Sequence, residues 1–328
     1  MAQNIALVTG GFSGEAVISY KTATTIQQNI DATLWHCYLI DITKDGWYYV
    51  NKNGEQTLVD KNDFSIIEQQ QKVIFAAALI GLHGTPGEDG KLQGYFDCLN
   101  IPYTSCNAAT SALTFNKSYT VAVAAYAGIQ VAKSMLLFKN QNTSEAAIWQ
   151  HLSLPVFVKP NNGGSSIGMS KVTTADAMEA ALQKAFNEDE QVLVEEFIAG
   201  REFTIGVFKQ NGLVTSLPIT EVITTNDFFD FEAKYEGKSM EITPAKIPEA
   251  VAEKISNAAS KIYSIFNCKG VVRVDFIFDE ATQQPYMLEI NTVPGQSQAS
   301  IIPQQVAAMG ISLQQFYTAL INECINTQ

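Results

Sequence analysis

Short apolar runs alternate with amphipathic stretches along the first third of the chain. Apolar residues fill positions 5–8 and 34–40, and the longest apolar run, 73–82, predicts a buried strand. Amphipathic stretches over 16–30 and Lys91–Leu99 predict helices. Strands that alternate with helices favour a parallel, Rossmann-like α/β sheet.

The pattern changes after a long helical stretch over residues 111–127. Short strands and two helices then predict a small α+β unit, with strands at 131–138, 156–159, 169–172 and 191–197 and helices at 144–151 and 175–186. Further on, the pattern predicts strands at 202–209 and 213–217, a helix that starts at Pro248, and a hairpin of 271–278 with 286–291. The polar, aromatic segment 226–237 has few regular signals and is a candidate lid.

Composition narrows the function classes. The chain has 328 residues, is 46% hydrophobic and 16% charged, and carries a net charge of −12, so we expect a folded protein that binds neither nucleic acid nor an anionic membrane surface. Its five cysteines are scattered without ligand spacing, which predicts reduced thiols in the cytoplasm. The run 73–82 is too short to span a bilayer.

The strongest chemical signal lies in the predicted hairpin. Side chains alternate faces along a strand, so Arg273 and Asp275 share one face, as do Glu289 and Asn291 on the other strand. If Asp275 lies opposite Glu289, then Arg273 lies opposite Asn291 and all four converge. Oxygen donors beside a guanidinium suit Mg²⁺ that carries a polyphosphate. The alternative is an ion-pair network on a solvated sheet face.

Three glycine-rich loops are further candidates. Residues 159–168 could hold phosphate through backbone N–H groups, serines and Lys159, although a flexible hairpin tip is equally compatible and the Walker A pattern is absent. Residues 83–90 follow a buried strand, where open α/β sheets place ligand-binding loops, but His83 could be structural. Residues 10–14 lack GxGxxG spacing and indicate a dinucleotide only weakly.

Eight segments together resemble the D-alanine:D-alanine ligase family of the ATP-grasp superfamily, over nearly the whole chain. They are GGFSGE, LHGTPGEDGKLQG, FNK, VKPNNGGSSIGMSKV, VLVEEFIAGREFT, FEAKY, VVRVDF and LEINTVPGQSQAS. The resemblance implies a Rossmann-like N-terminal domain over 1–115, followed by a two-part ATP-grasp module: a small subdomain over 116–201 and a C-terminal subdomain over 202–328. One departure is Ala16–Val17, where the family usually has Arg-Glu.

The resemblance also implies an ATP site. Lys117 and Lys159 would hold the phosphates, while Glu195 and the Ile198 backbone would contact adenine and Glu202 the ribose. The implied metal ligands are Asp275, Glu289 and Asn291, which would hold Mg²⁺, with two ions expected and Mn²⁺ able to substitute.

The remaining implied residues would bind and activate two D-alanine molecules. Glu15 would hold the first ammonium with His83 nearby, and Arg273 and the Gly295 N–H would stabilise the oxyanion. The implied residues for the second substrate are Ser300, Ile301 and Lys234. Ser165 and Tyr235 would link the lid to Glu15, and a tyrosine at 235 accompanies dipeptide formation in the family.

The implied reaction joins two D-alanines through a D-alanyl phosphate, giving D-alanyl-D-alanine, ADP and phosphate for peptidoglycan precursor synthesis, in a homodimer. Within the superfamily, the alternative is a D-alanine:D-lactate or other carboxylate–amine ligase. Outside it, a dinucleotide-dependent oxidoreductase would leave the Asp275, Glu289 and Asn291 cluster unexplained, and a nucleotide sensor would bind ATP without D-alanine-dependent ADP release.

Overall fold

The computed structural model describes residues 2–141, 144–224 and 239–326. Its N-terminal sheet has the strand order β4-β3-β2-β1-β7, in which β1 is parallel to β2 and β7, while β3 pairs antiparallel with both β2 and β4. The elements of this unit are β1 Gln3–Gly10, α1 Ala16–Asn29, β2 Trp35–Ile42, β3 Trp47–Val50, β4 Gln56–Leu58, β5 Ile66–Glu68, β6 Gln71–Val73, β7 Ala77–Ile80 and α2 Lys91–Leu99. Strands β5 and β6 form a separate hairpin.

The single strand predicted over 73–82 is wrong. Val73 ends β6, Ile74 is exposed, and the central sheet receives only Ala77–Ile80. The hydropathy pattern does not show the break between β6 and β7, because Phe75 is apolar and buried although it lies outside both strands.

The long helix predicted over 111–127 is also wrong, because the chain forms two helices. Asn116 lies between them in an extended conformation, and its side chain accepts a hydrogen bond from the Tyr119 N–H as the cap of the second helix. The Lys117 N–H donates to the Asn161 carbonyl at 2.9 Å, so the break brings the start of the second helix to the glycine-rich loop 159–168.

The middle of the chain forms an antiparallel sheet with the order β10-β9-β11-β8. Alternate residues of β9 and β11, such as Val158 and Val192, pack against Ile148 and Met178 of two helices. The elements are α3 Ala108–Phe115, α4 Lys117–Tyr126, β8 Ser134–Phe138, α5 Glu145–His151, β9 Val156–Pro160, β10 Ser170–Val172, a 3₁₀ turn Ala175–Ala177, α6 Met178–Phe186 and β11 Gln191–Glu196.

The last sheet has the order β15-β14-β12-β16-β17, with β13 also paired to β12. Helix α7 covers one face, where Ile255 and Ile262 pack against Phe203 and Phe276. The elements are β12 Arg201–Gln210, β13 Leu213–Ser216, β14 Thr220–Thr224, β15 Ser239–Ile242, α7 Glu249–Ile265, β16 Val271–Asp279, β17 Gln284–Asn291, α8 Ile301–Ala308 and α9 Leu313–Asn326.

The first and last sheets share a hydrophobic cluster. Ile5 and Leu7 of β1 belong to the same buried cluster as Phe208 of β12, Val271 of β16 and Phe316 of α9. Because interiors are close-packed, this cluster fixes the ends of β1 and β16 relative to one another. No helix within the described residues is long and apolar enough to cross a membrane.

Candidate active site

Two adjoining cavities lie where the three sheets meet. The inner cavity, about 310 Å³, and the outer cavity, about 830 Å³, share several lining residues, including Glu15, Ser165 and Glu289. Every predicted site residue that the structure describes lines at least one of them. Six of these residues line only the inner cavity: His83, Arg273, Asn291, Gly295, Ser300 and Ile301. Three line only the outer cavity: Lys159, Glu195 and Ile198. Six line both cavities: Glu15, Lys117, Ser165, Glu202, Asp275 and Glu289. Lys234, Tyr235 and the candidate lid 226–237 lie outside the described residues.

The predicted hairpin register is confirmed. Asp275 lies opposite Glu289 and Arg273 opposite Asn291, and the register shifts only after Asp275. Arg273 donates to both carboxylate oxygens of Asp275, from Nε at 2.8 Å and from a terminal nitrogen at 2.7 Å. The same terminal nitrogen is 3.9 Å from Glu289 Oε1. The four side chains therefore meet on one face, at the junction of the two cavities.

This cluster fits a hard cation. The Asn291 Oδ1 atom is buried, and among the described residues it has no hydrogen-bond partner. Leaving such an atom unsatisfied costs about 1 to 3 kcal/mol, which coordination by a cation would offset. Among the residues described, no three His, Cys, Asp or Glu side chains form a metal site by themselves. The donor set is thus two carboxylates and an amide, which suits Mg²⁺ and not zinc.

Among the described residues, three lysines line the outer cavity, and two of them, Lys117 and Lys159, lie at the glycine-rich loop 159–168. Lys159 on β9 forms an ion pair with Glu195 on the adjacent strand β11, and both side chains are almost buried. Lys117, the first residue of α4, donates from Nζ to the Gly163 carbonyl at 2.6 Å. Two ammonium groups and a helix N-terminus beside a glycine-rich loop form an environment that favours phosphate.

Glu15, which lines both cavities, lies between two glycines. A Cβ atom on Gly84 would come within 2.5 Å of Glu15 Oε2, and one on Gly164 within 2.8 Å of Oε1. Ser165 Oγ donates to Glu15 Oε1 at 2.9 Å. The loops 83–90 and 159–168 can therefore close around this carboxylate only because glycine occupies both positions.

The sequence patterns missed two polar residues beside this site. Thr22 on α1 is fully buried and bonds to the His83 ring, and Glu88 accepts two backbone hydrogen bonds. Burial and the nearby Glu15 carboxylate raise the pKa of Glu88 to about 8. The motif HGTPGEDG contained the signal for Glu88, whereas nothing in the local pattern distinguishes Thr22.

The far end of the inner cavity is formed by the start of α8. Ser300 precedes this eight-residue helix, and its hydroxyl lies 2.7 Å from that of Ser297. Ile301 follows as the first helical residue. Helix N-termini bind anions through free backbone N–H groups, so this end suits a carboxylate.

Comparison with known proteins gives a consistent result over the full length. Residues 4–106 match the model of the D-ala D-ala ligase N-terminus, and residues 116–322 match that of the D-ala D-ala ligase C-terminus. The D-alanine–D-alanine ligase of Parabacteroides distasonis is 45% identical over 323 residues, with 98% of each chain covered.

Solved structures agree. The VanG D-Ala:D-Ser ligase of Enterococcus faecalis has a TM-score of 0.88 at 29% identity, covering 98% of this chain and 99% of that one. The D-alanine–D-alanine ligase of Bacillus anthracis complexed with ATP has a TM-score of 0.80 at 27% identity, covering 99% of this chain and 98% of that one. The chain belongs to the D-alanine–D-alanine ligase family and has its ATP-grasp fold.

Proposed function

We propose that this chain joins two D-alanine molecules in an ATP-dependent reaction that gives D-alanyl-D-alanine, ADP and phosphate. One observation carries the proposal: an outer cavity in which Lys117 and Lys159 lie at a glycine-rich loop, and an inner cavity that contains Arg273 and the start of α8, meet at Asp275 and Glu289. A phosphoryl donor in the first cavity would then adjoin a carboxylate acceptor in the second.

ATP would occupy the outer cavity. Its phosphates would lie between Lys117 and Lys159, with adenine near Glu195 and the Ile198 backbone and the ribose near Glu202. The described geometry supports this assignment through the Lys159–Glu195 pair and the α4 N-terminus. The Bacillus anthracis relative, complexed with ATP, supports the choice of nucleotide.

Asp275, Glu289 and Asn291 would hold Mg²⁺, with two ions expected and Mn²⁺ able to substitute. When bound, such a cation neutralises phosphate charge and withdraws electrons from the transferred phosphoryl group. Arg273 already neutralises Asp275 on one side. It can also reach toward the carboxylate of a bound amino acid.

The first D-alanine would bind through its ammonium to Glu15, which Ser165 and the two flanking glycines hold in place. Its carboxylate would attack the γ-phosphorus of ATP, releasing ADP and forming an acyl phosphate. The amine of the second D-alanine, once deprotonated, would attack the acyl carbon and phosphate would leave. Arg273 and the Gly295 N–H would stabilise the oxyanion in that step.

The second D-alanine would bind by its carboxylate at the start of α8. Ser300, the Ile301 N–H and Lys234 would contact it, and Tyr235 would join the network of Ser165 and Glu15. These assignments, like the division into units 1–115, 116–201 and 202–328, are our proposal. So are a homodimer, a cytoplasmic location and use of the product in peptidoglycan precursor synthesis.

ADP release with ATP and Mg²⁺, measured with and without D-alanine, tests the function. We expect release to depend on D-alanine and the product to be identified by mass as D-alanyl-D-alanine. D-Lactate and D-serine supplied as second acceptors measure acceptor choice, since one structural relative is a D-Ala:D-Ser ligase. ADP release independent of D-alanine would overturn the proposal.

A further inference from the structure

We propose that Thr22 and Glu88 are positioning residues that, together with His83, hold the segment 292–296 and thereby fix the Gly295 N–H. This inference rests on the proposed function, because it explains how the oxyanion donor of that reaction is kept in place. Two residues of the N-terminal unit would thus position a loop that follows β17.

The first link is the Thr22 hydroxyl. The Gln296 N–H donates to Thr22 Oγ1 at 3.2 Å, and the same oxygen lies 2.9 Å from His83 Nε2. Among the described residues, the hydroxyl proton of Thr22 has no acceptor other than His83 Nε2, so the arrangement that satisfies both buried groups has the hydroxyl accept from Gln296 and donate to His83. His83 Nε2 is then the acceptor and carries no proton.

The second link is the charge state of the His83 ring. Burial disfavours the charged form of the imidazole more strongly than the nearby Val293 backbone favours it. Burial, with a smaller contribution from Arg273, lowers the pKa of His83 to about 4. His83 is therefore a neutral imidazole at neutral pH, and with Nε2 as the acceptor its proton lies on Nδ1.

The third link is Glu88. Its Oε1 accepts from the Val293 N–H at 3.3 Å and its Oε2 from the Gly84 N–H at 2.6 Å. Val293 is thus held to the N-terminal unit through its N–H by Glu88. The Val293 side chain is itself buried in the N-terminal core.

These links hold Gly295 from both sides. Val293 lies two residues before it and Gln296 directly after it, and both are attached to the N-terminal unit. Gly295 is half-buried and lines the inner cavity. Catalysis by an oxyanion donor depends on its position before reaction, so loosening this segment would reduce turnover more than nucleotide binding.

Thr22→Val tests the chain of hydrogen bonds, because it removes the hydroxyl and keeps the shape. We expect kcat to fall at least tenfold with KM for ATP within twofold of wild type, and Thr22→Ser to restore most of kcat. Thr25→Val is the matched control: Thr25 is buried on the same helix, but its hydroxyl donates to the Lys21 carbonyl of that helix. Its kcat should remain within twofold of wild type.

The result would overturn the proposal if Thr22→Val and Thr25→Val had the same kcat, or if Thr22→Ser were as impaired as Thr22→Val. The proposed function is judged separately, by dipeptide formation in wild type and Thr25→Val. If Thr22→Val does not fold, ¹⁵N NMR of the three histidine rings in the wild-type enzyme tests the proposed hydrogen bonds instead. A neutral Nδ1–H tautomer for His83 supports the network, and an Nε2–H or charged ring excludes it.

Discussion

The inner and outer cavities are built in different ways. In the outer cavity, side chains neutralise each other directly, as in the Lys159–Glu195 ion pair. The inner cavity also contains an ion pair, between Arg273 and Asp275, but beside it two further side chains hold backbone groups: Thr22 holds Gln296 and Glu88 holds Val293. The outer cavity can therefore exchange an internal partner for a nucleotide phosphate, whereas the inner cavity is ordered before any ligand binds.

The largest effect is expected where the two cavities meet. Glu289→Gln should remove most turnover, because it lowers the charge facing the cation and phosphates at nearly constant volume. Loss of one such electrostatic element costs about 2.7 to 4 kcal/mol of barrier, on the order of a hundredfold or more in kcat. Steady-state turnover at saturating Mg²⁺ measures it. Glu280→Gln, in the exposed turn of the same hairpin, is the control, and equal kcat in the two variants would contradict the metal assignment.

Breaking the ion pair inside the outer cavity should lower the stability of the protein. Glu195→Gln leaves the Lys159 ammonium nearly buried without its counter-charge, which is expected to cost about 3 kcal/mol of unfolding free energy. Because ATP phosphates would compensate this charge, saturating Mg-ATP should stabilise the variant more than it stabilises the wild type. Urea denaturation with and without nucleotide measures both. Because Glu195 is also the proposed adenine contact, magnesium triphosphate, which lacks adenine, is the control ligand, and an equal effect of triphosphate on the two proteins would contradict contact between Lys159 and the phosphates.

Adding a single methyl group to the inner cavity should weaken the use of D-alanine. Gly164→Ala places a Cβ within 2.8 Å of Glu15 Oε1, so the carboxylate must move away from Ser165. Loss of one hydrogen bond to a charged group costs about 1.5 kcal/mol, roughly tenfold in kcat/KM for D-alanine. Gly94→Ala is the control, since its Cβ meets only Ala108 at 3.8 Å. Unchanged kcat/KM for D-alanine in Gly164→Ala would argue against Glu15 as the ammonium site.

The same contrast explains what the sequence could predict. The pairing of Arg273 with Asn291 followed from strand alternation once Asp275 was assumed to lie opposite Glu289, because a period of two and one pair determine the rest. The Asn116 cap was readable in principle from an asparagine before a helical stretch. The partners of Thr22 lie 61 and 274 residues away, so no local pattern encodes them. Side-chain periodicity was therefore sufficient to predict the cluster of Arg273, Asp275, Glu289 and Asn291 on the sheet. It was insufficient to predict which side chains hold the backbone of a loop.

The smallest expected effect is on the pH dependence of stability. It tests whether Glu88, which holds Val293 beside the inner cavity, is protonated before any ligand binds. The pKa of Glu88 is raised to about 8 by burial and by Glu15, against an ordinary value of 4.5 in the unfolded chain. Between these values the folded protein holds a proton that the unfolded chain has lost, so this group's contribution to stability is complete below pH 4.5 and falls as the pH rises toward 8.

Glu88→Gln removes this titration while it keeps a similar shape, so its unfolding free energy should decline less with pH than that of the wild type. We expect a difference of about 1 kcal/mol accumulated between pH 6 and 8, less than the full value for one proton because Glu88 is only half-buried and shares its charge with Glu15. Urea denaturation in a pH series measures it, with Glu280→Gln as the exposed control. Parallel curves for wild type and Glu88→Gln would mean that Glu88 is ionised in the free enzyme, and that its two backbone hydrogen bonds outweigh the cost of burying the charge.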